Sequence, residues 1–228
     1  MSLYVIGDLH LSLGEDKPMD IFRGWDNYIE RLKIGWTETV SNDDTVVIPG
    51  DICWAMKLDE AYTDFKFIND LPGKKIISKG NHDYWWSTMG KMTRFLSENG
   101  FDTISILHNN HYRYGEYGIC GTRGWIAENG EPADAKVLAR EAGRLETSIS
   151  SAEKEGLIPL VFLHYPPIFG NSVNYSILEV LHRHDIKQCR YGHIHGRSCE
   201  NAFIGERDGI FYQLVSSDYI QFVPQKIF

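Results

Sequence analysis

The residues able to do chemistry in this 228-residue chain fall into five short clusters. Each follows an apolar run that reads as a buried strand. Asp8-Leu9-His10 comes after Leu3 to Ile6, and Gly50-Asp51 after Val46 to Ile48. Gly80-Asn81-His82-Asp83 comes after Lys75 to Ser78, and His164 after Leu160 to Leu163. Gly192-His193-Ile194-His195 comes after Lys187 to Tyr191. In open α/β sheets, ligands bind outside the carboxyl ends of the strands. Five strands ending in Asp, Asn or His therefore aim carboxylate, amide and imidazole groups at one place. Imidazole suits Zn, Fe, Mn and Ni, while carboxylate and amide oxygens suit harder ions, so the chemistry indicated is that of a metal site. Gly7, Gly50, Gly80 and Gly192 precede the clusters and fit tight turns close to such a site.

Taken in order, D-x-H, G-D, G-N-H-D, H and G-H-x-H resemble the calcineurin-like metallophosphoesterase superfamily, in its bacterial phosphohydrolase form. Any one piece arises by chance; the ordered set, running from Ile6 to His195, is specific. The resemblance implies a four-layer α/β/β/α sandwich of two mixed sheets flanked by helices. It also implies two divalent ions per chain, drawn from Mn, Fe, Zn or Co. Asp8, His10 and His195 would hold one ion, Asn81, His164 and His193 the other, and Asp51 would bridge them. How His193 and His195 divide between the ions stays open. If the backbone is extended, alternate residues in Asp8-x-His10 and His193-x-His195 point the same way.

Two cations roughly 3.5–4 Å apart can clamp the attacking and leaving oxygens of an in-line phosphoryl displacement. The resemblance thus implies hydrolysis of a small phosphomonoester or phosphodiester by a metal-bridging hydroxide. It gives His82 the role of general acid toward the leaving alkoxide, an effect typically of about 10²–10⁴-fold. The alternative is a histidine that only hydrogen-bonds its neighbours.

One departure matters. The protein-phosphatase branch reads G-D-x-x-D-R-G at the second motif, where the second Asp orients the catalytic His and the Arg grips phosphate. Here Trp54 and Ala55 stand in those places. His82 must find another partner, with Asp83 or a backbone carbonyl as candidates, and protein phosphatase activity is placed in doubt. Arg123, between glycines after an expected strand, is the candidate replacement clamp, since guanidinium matches phosphate bidentately. An exposed loop arginine is the alternative. Trp54, Trp85, Trp86 and Trp125 lie near the clusters and could stack a base, but Trp more often fills a core. Trp125 is the exception favoured for substrate contact.

Composition bounds the partners. The chain is 43% apolar and 24% charged, the balance of an ordinary globular protein, and it suits one domain over residues 1–228. Its net charge of −8 offers no basic stripe, which argues against a nucleic acid polymer as partner but not against a small phosphate ester. Cys53, Cys120, Cys189 and Cys199 show no C-x-x-C spacing and read as reduced core residues. The N-terminus enters a strand at once, without the regions of a signal peptide, and no apolar run approaches a membrane span. A cytoplasmic enzyme without membrane contact is expected.

Periodicity places the elements. Ile21, Trp25, Tyr28, Ile29, Leu32 and Trp36 predict a helix over Asp20–Val40. Further helices are predicted over Leu58–Leu71, Met89–Asn99 and Asp134–Glu155, the last a polar helix with a solvated face. Thr103–Cys120 reads as an antiparallel hairpin or meander, Gly121–Pro132 as a loop, and Ile210–Ser216 and Tyr219–Val223 as closing strands. His108, His111, His182 and His184 fall outside every motif and read as solvated. The leading expectation is the metal-dependent phosphoesterase. Its rivals are a nuclease, a lipid-phosphate hydrolase, and a non-catalytic scaffold, which would be expected to lose ligands or the catalytic His.

Overall fold

A computed structural model describes residues 1–126 and 134–228. The loop expected over Gly121–Pro132 lies outside the described residues from position 127 onward. The first apolar runs form β1 (Leu3–Val5), β2 (Thr45–Pro49), β3 (Lys74–Ser78) and β4 (Ile104–Ile106), all parallel. The second sheet holds β5 (Tyr112–Tyr114), β6 (Tyr117–Thr122), β7 (Ile158–Leu163), β10 (Gln188–Tyr191), β11 (Gly205–Arg207) and β12 (Ile210–Leu214). Between β7 and β10 lies a small hairpin, β8 (Ile168–Phe169) with β9 (Ser172–Val173). The last strand, β13 (Gln225–Lys226), returns antiparallel to β1. The spatial orders are β13-β1-β2-β3-β4 and β11-β12-β10-β7-β6-β5.

Alternation along the strands builds three apolar layers. Tyr4, Val46, Ile48 and Ile77 face a core shared with α1 (Tyr28–Thr39), α2 (Tyr62–Asp70) and α3 (Met89–Glu98). Val161, Leu163 and Cys189 face α4 (Ala135–Glu153) and α5 (Tyr175–Arg183). Leu3, Val5, Val47, Ile76, Leu160 and Phe162 point the opposite way and meet between the sheets. Helix, sheet, sheet, helix is therefore the layer order, as expected, and each fully buried Leu, Ile or Phe contributes about 1.5–3 kcal/mol. Parallel register brings strand ends level: Val47 pairs with Ile76, and Leu163 with both Thr122 and Tyr191. Lys75 is fully buried, yet its ammonium donates to the carbonyls of Leu71 and Gly73 at 2.6 and 2.8 Å just past α2. Burial lowers its pKa to about 8.

Four expectations need correction. The first helix begins at Tyr28, not Asp20, because Gly24 and Asn27 take left-handed backbone (φ 92° and 51°) that an α-helix cannot continue. Ile21, placed on its apolar face, is 75% exposed. In the middle region, β4 runs parallel to β3 and completes a third β-α unit; only β5 and β6 form the hairpin. Tyr219–Val223 is a turn rather than a strand, since Gln221 and Phe222 are left-handed, and β13 does the closing.

The fourth correction is His184, which is not solvated. Its Nδ1 lies 2.9 Å from Glu153 and its Nε2 2.8 Å from Glu146, tying the end of α5 to α4. His111 likewise meets Ser151 at 2.8 Å, whereas His182 is exposed. All four cysteines are free, and no helix of the described residues is long and apolar enough to cross a membrane.

Burial pulls the pKa of His184 down, but the two glutamates outweigh it and leave it above the ordinary 6.5. A histidine raised on folding stabilises fully below its unfolded pKa and loses that contribution as pH rises through the folded value. The difference in melting temperature between the native chain and His184→Gln should accordingly be greatest in mild acid and shrink as pH rises past the ordinary histidine range, read by thermal scans at a series of pH values.

Candidate metal centre

All five clusters lie just beyond strand ends and meet where the two sheets join. The loops after β1 and β2 run together: Asp8 N–H donates to Gly50 O (3.1 Å), His10 N–H to Asp51 O (3.0 Å), and Leu11 N–H to Ile52 O (3.0 Å). Across the sheets, Gly7 N–H donates to Val215 O at 2.7 Å, and within the second sheet Gly192 N–H donates to His164 O at 3.1 Å. Two close approaches require glycine. A Cβ on Gly80 would stand 2.1 Å from Asp51 Oδ1, and one on Gly192 2.3 Å from Asp8 Oδ2.

The backbone here is not extended as the alternate-residue reading required. Asp8, His10, Asp51 and His193 all have positive φ, at 58°, 45°, 51° and 73°. Such conformations are uncommon for residues with a side chain and gather at functional sites. Left-handed turns, not strand alternation, thus carry Asp8 and His10 to the same place.

Two groups result. Asp8, His10 and His195 form one, and Asp51, His164 and His193 the other, with the ligand atoms of each group within 4.8 Å of one another. Asn81 joins the second: its Oδ1 is 2.6 Å from His164 Nε2 and 2.9 Å from His193 Nδ1. Asp51 Oδ2 lies between the groups, 3.5 Å from His10 Nε2 and 3.6 Å from His164 Nε2. That is the position a bridging carboxylate must occupy.

The donor chemistry fits two cations. Burial holds His10 and His164 well below their ordinary pKa, helped by neighbouring histidines, and holds His193 at about 3. Neutral imidazole is the form that binds metal. Burial also raises Asp8 to about 6 and lifts Asp51 well above the usual carboxylate range, with Asp83 and Asp8 adding to it. Nearby cations would relieve both carboxylates. The Nε2 atoms of His10 and His195 face each other at 3.3 Å, so a proton or a metal ion must lie between their lone pairs.

Supporting contacts orient the ligands. Pro49 O receives His164 Nδ1 at 3.2 Å, leaving Nε2 for the site. Asp218 Oδ1 lies 2.8 Å from His195 Nδ1, and Oδ2 accepts from Gly196 N–H. Burial lowers the His195 pKa, but Asp218 and Asp8 outweigh it. Asp218 was missed in the sequence. Its signal is faint, a lone Asp after β12 with no motif around it.

His82 borders the first group, with its ring centre 5.6 Å from that of His10. Asp83 is not its partner. That carboxylate accepts from Gly80, Asp51, Ile52 and the Trp85 indole at 2.7, 3.0, 2.8 and 3.1 Å. The imidazole instead packs on Trp54, with centres 4.4 Å apart, and its Nδ1 lies 3.4 Å from the Tyr84 hydroxyl. Burial lowers its pKa, with His195 and Lys17 contributing. Beside it opens a cleft of about 360 Å³ lined by His10, His82, His195, Trp25, Trp54 and Phe22, among others.

The tryptophans divide. Trp85 is buried, and Trp54 is stacked against His10 at 5.0 Å with Lys17 over its ring at 5.2 Å, so it serves the cleft as a wall. Arg123 and Trp125 do not line the cleft. The Arg123 guanidinium lies 5.1 Å over Trp125, and Arg123 borders a separate narrow recess with Lys79, His108 and Arg144. Its Nε is buried without a hydrogen bond among the described residues. Trp125 reaches the centre through Tyr165, which packs on His193 at 4.2 Å.

Residues 1–197 match the calcineurin-like phosphoesterase family, and the chain belongs to it. Family members use a dinuclear metal centre, and the two ligand groups stand where one would be built. Among solved structures, a phosphopantetheinyl hydrolase from Mycobacterium tuberculosis is similar at 15% identity and a TM-score of 0.54, covering 99% of this chain and 95% of its own. TT1561 of Thermus thermophilus is similar at 12% identity and TM-score 0.57, over 92% of this chain and 86% of that one. The protein of unknown function AQ665 from Aquifex aeolicus gives 15%, 0.52, 99% and 95%. At such identities the likeness is one of fold. No curated protein matches.

Removing the Asp83 carboxylate would leave several buried N–H groups without an acceptor, at about 1–3 kcal/mol for each such group. Asp83→Ala should therefore lower unfolding free energy by at least about 3 kcal/mol, read by urea denaturation.

Proposed function

We propose that the protein is a metal-dependent phosphoesterase acting on a phosphomonoester or phosphodiester, with His82 as general acid. The observation that supports it most is Asp51 Oδ2 placed midway between His10 and His164, with His82 at the mouth of the adjoining cleft. Asp8, His10 and His195 would hold one divalent ion, Asn81, His164 and His193 the other, and Asp51 would serve both. When bound, the ions supply Lewis acidity toward the phosphoryl oxygens and an acidified water as nucleophile. Mn, Fe, Zn and Co are all compatible with this ligand set.

The remaining work falls to the chain. Asp218 holds His195 in one tautomer, and Pro49 O does the same for His164. Trp54 fixes the His82 ring by packing, in place of the carboxylate used in the protein-phosphatase branch. An imidazole at the mouth of the cleft can pass a proton to a departing alkoxide, and Tyr84 is within reach of its other nitrogen. We assign Arg123 and Trp125 a supporting role at the edge of the site rather than the phosphate clamp. Four unpaired thiols favour the cytoplasm as working compartment.

The test is chelator-stripped protein reloaded with Mn²⁺ and offered aryl and alkyl phosphate esters. Native protein should bind two ions per chain and turn over esters, and Asp51→Asn should lose the paired stoichiometry along with turnover. His82→Ala should lower kcat on alkyl esters by about 10²–10⁴-fold, and far less on a 4-nitrophenyl ester whose leaving group needs no proton. Failure of the native protein to bind metal would instead favour the non-catalytic scaffold.

A further inference from the structure

The cleft beside His82 has a character that the metal chemistry does not require. Beyond His10, His82 and His195, it is lined by Met19, Phe22, Trp25, Trp54, Arg23 and Gly196. Its volume, about 360 Å³, is that of a small-molecule site and exceeds what a phosphoryl group needs. Phe22, which lines the cleft, is 53% exposed. A large apolar side chain left half exposed in the wall of a concave site marks a surface that a ligand covers. Arg23 makes no hydrogen bond or ion pair among the described residues, and it borders a second recess with Arg197, Glu200 and Tyr219.

We propose that this cleft binds the alcohol half of the substrate, and that this half is bulky and apolar where it adjoins the ester oxygen. The inference rests on the reading of His82 as general acid. A group that protonates the leaving oxygen must touch it. Whatever that oxygen carries then continues past His82, into the space walled by Phe22 and Trp54, with the largely buried Trp25 and Met19 behind them. An alcohol such as glycerol would leave those walls wet, whereas a ring or a branched chain displaces water from them. Phe22 is the specificity-determining residue in this arrangement. Its ring is half exposed in the cleft wall and gains the rest of its burial from the ligand.

The test separates the alcohol pocket from the reaction. Full-length Mn²⁺-loaded protein is titrated calorimetrically with methylphosphonate and with 1-naphthylmethylphosphonate, which share a headgroup and lack a scissile ester. The naphthyl compound should bind at least about ten-fold more tightly. Phe22→Ala should bring the ratio of the two affinities toward one, and Phe22→Tyr should keep it. Equal affinities in the native protein, a ratio untouched by Phe22→Ala, or no binding of either compound would overturn the inference. Turnover of aryl esters with a ratio of one would sink the pocket and spare the reaction. A high ratio without turnover of any ester would do the reverse.

Discussion

The carboxylate of Asp83 joins two loops that the sheet alone would leave apart. β2 and β3 are paired only as far as Pro49 and Ser78, and beyond them each chain turns away with its amide groups unspent. Asp83, fully buried, accepts from Gly80 on its own loop and from Asp51 and Ile52 on the other. Burial raises its pKa to about 6, while those amides pull the other way. With the loops pinned, Asp51 must turn left-handed, and its own Oδ1 takes the His82 N–H at 2.8 Å. The candidate bridging carboxylate and the candidate acid are thus set by one shared scaffold of amide hydrogen bonds.

The second dependence is between the sheets. Asp8, His10, Asp51, Asn81 and His82 follow strands of the first sheet, and His164, His193 and His195 follow strands of the second. Among the described residues, neither candidate ligand group is complete within one sheet. Their meeting is fixed by the apolar layer of Leu3, Val5, Val47, Leu160 and Phe162, and by the bridge between Gly7 and Ser216. Side-chain packing between segments far apart in sequence therefore sets ligand spacing. The same layer that excludes water from the interior holds the chemistry in register.

Much of this was legible because the strands are short, apolar and followed at once by Asp, Asn or His. Leu3 to Ile6 and Val46 to Ile48 are apolar without a break, the mark of strands covered on both faces, while the order of the layers came from the family resemblance. The segment before α1 was not legible. Ile21 and Trp25 keep helical spacing by coincidence, while Gly24 and Asn27 break the backbone, and periodicity does not register φ. Phe222 likewise reads as strand but turns left-handed to pack on Trp25, with ring centres 5.1 Å apart. Asp218 and His184 act through partners far along the chain, which a single sequence does not reveal.

Asp8, His10, Asp51 and His193 occupy backbone conformations that glycine or asparagine would adopt with less strain. Holding an ordinary side chain there costs on the order of 1–3 kcal/mol at each position, a sizeable share of a domain's total stability. The chain is in this sense built against itself. The gathering of these four residues at one place, where Asp8 and Asp51 also accept the N–H groups of His193 and His82, concentrates backbone strain at the candidate metal centre.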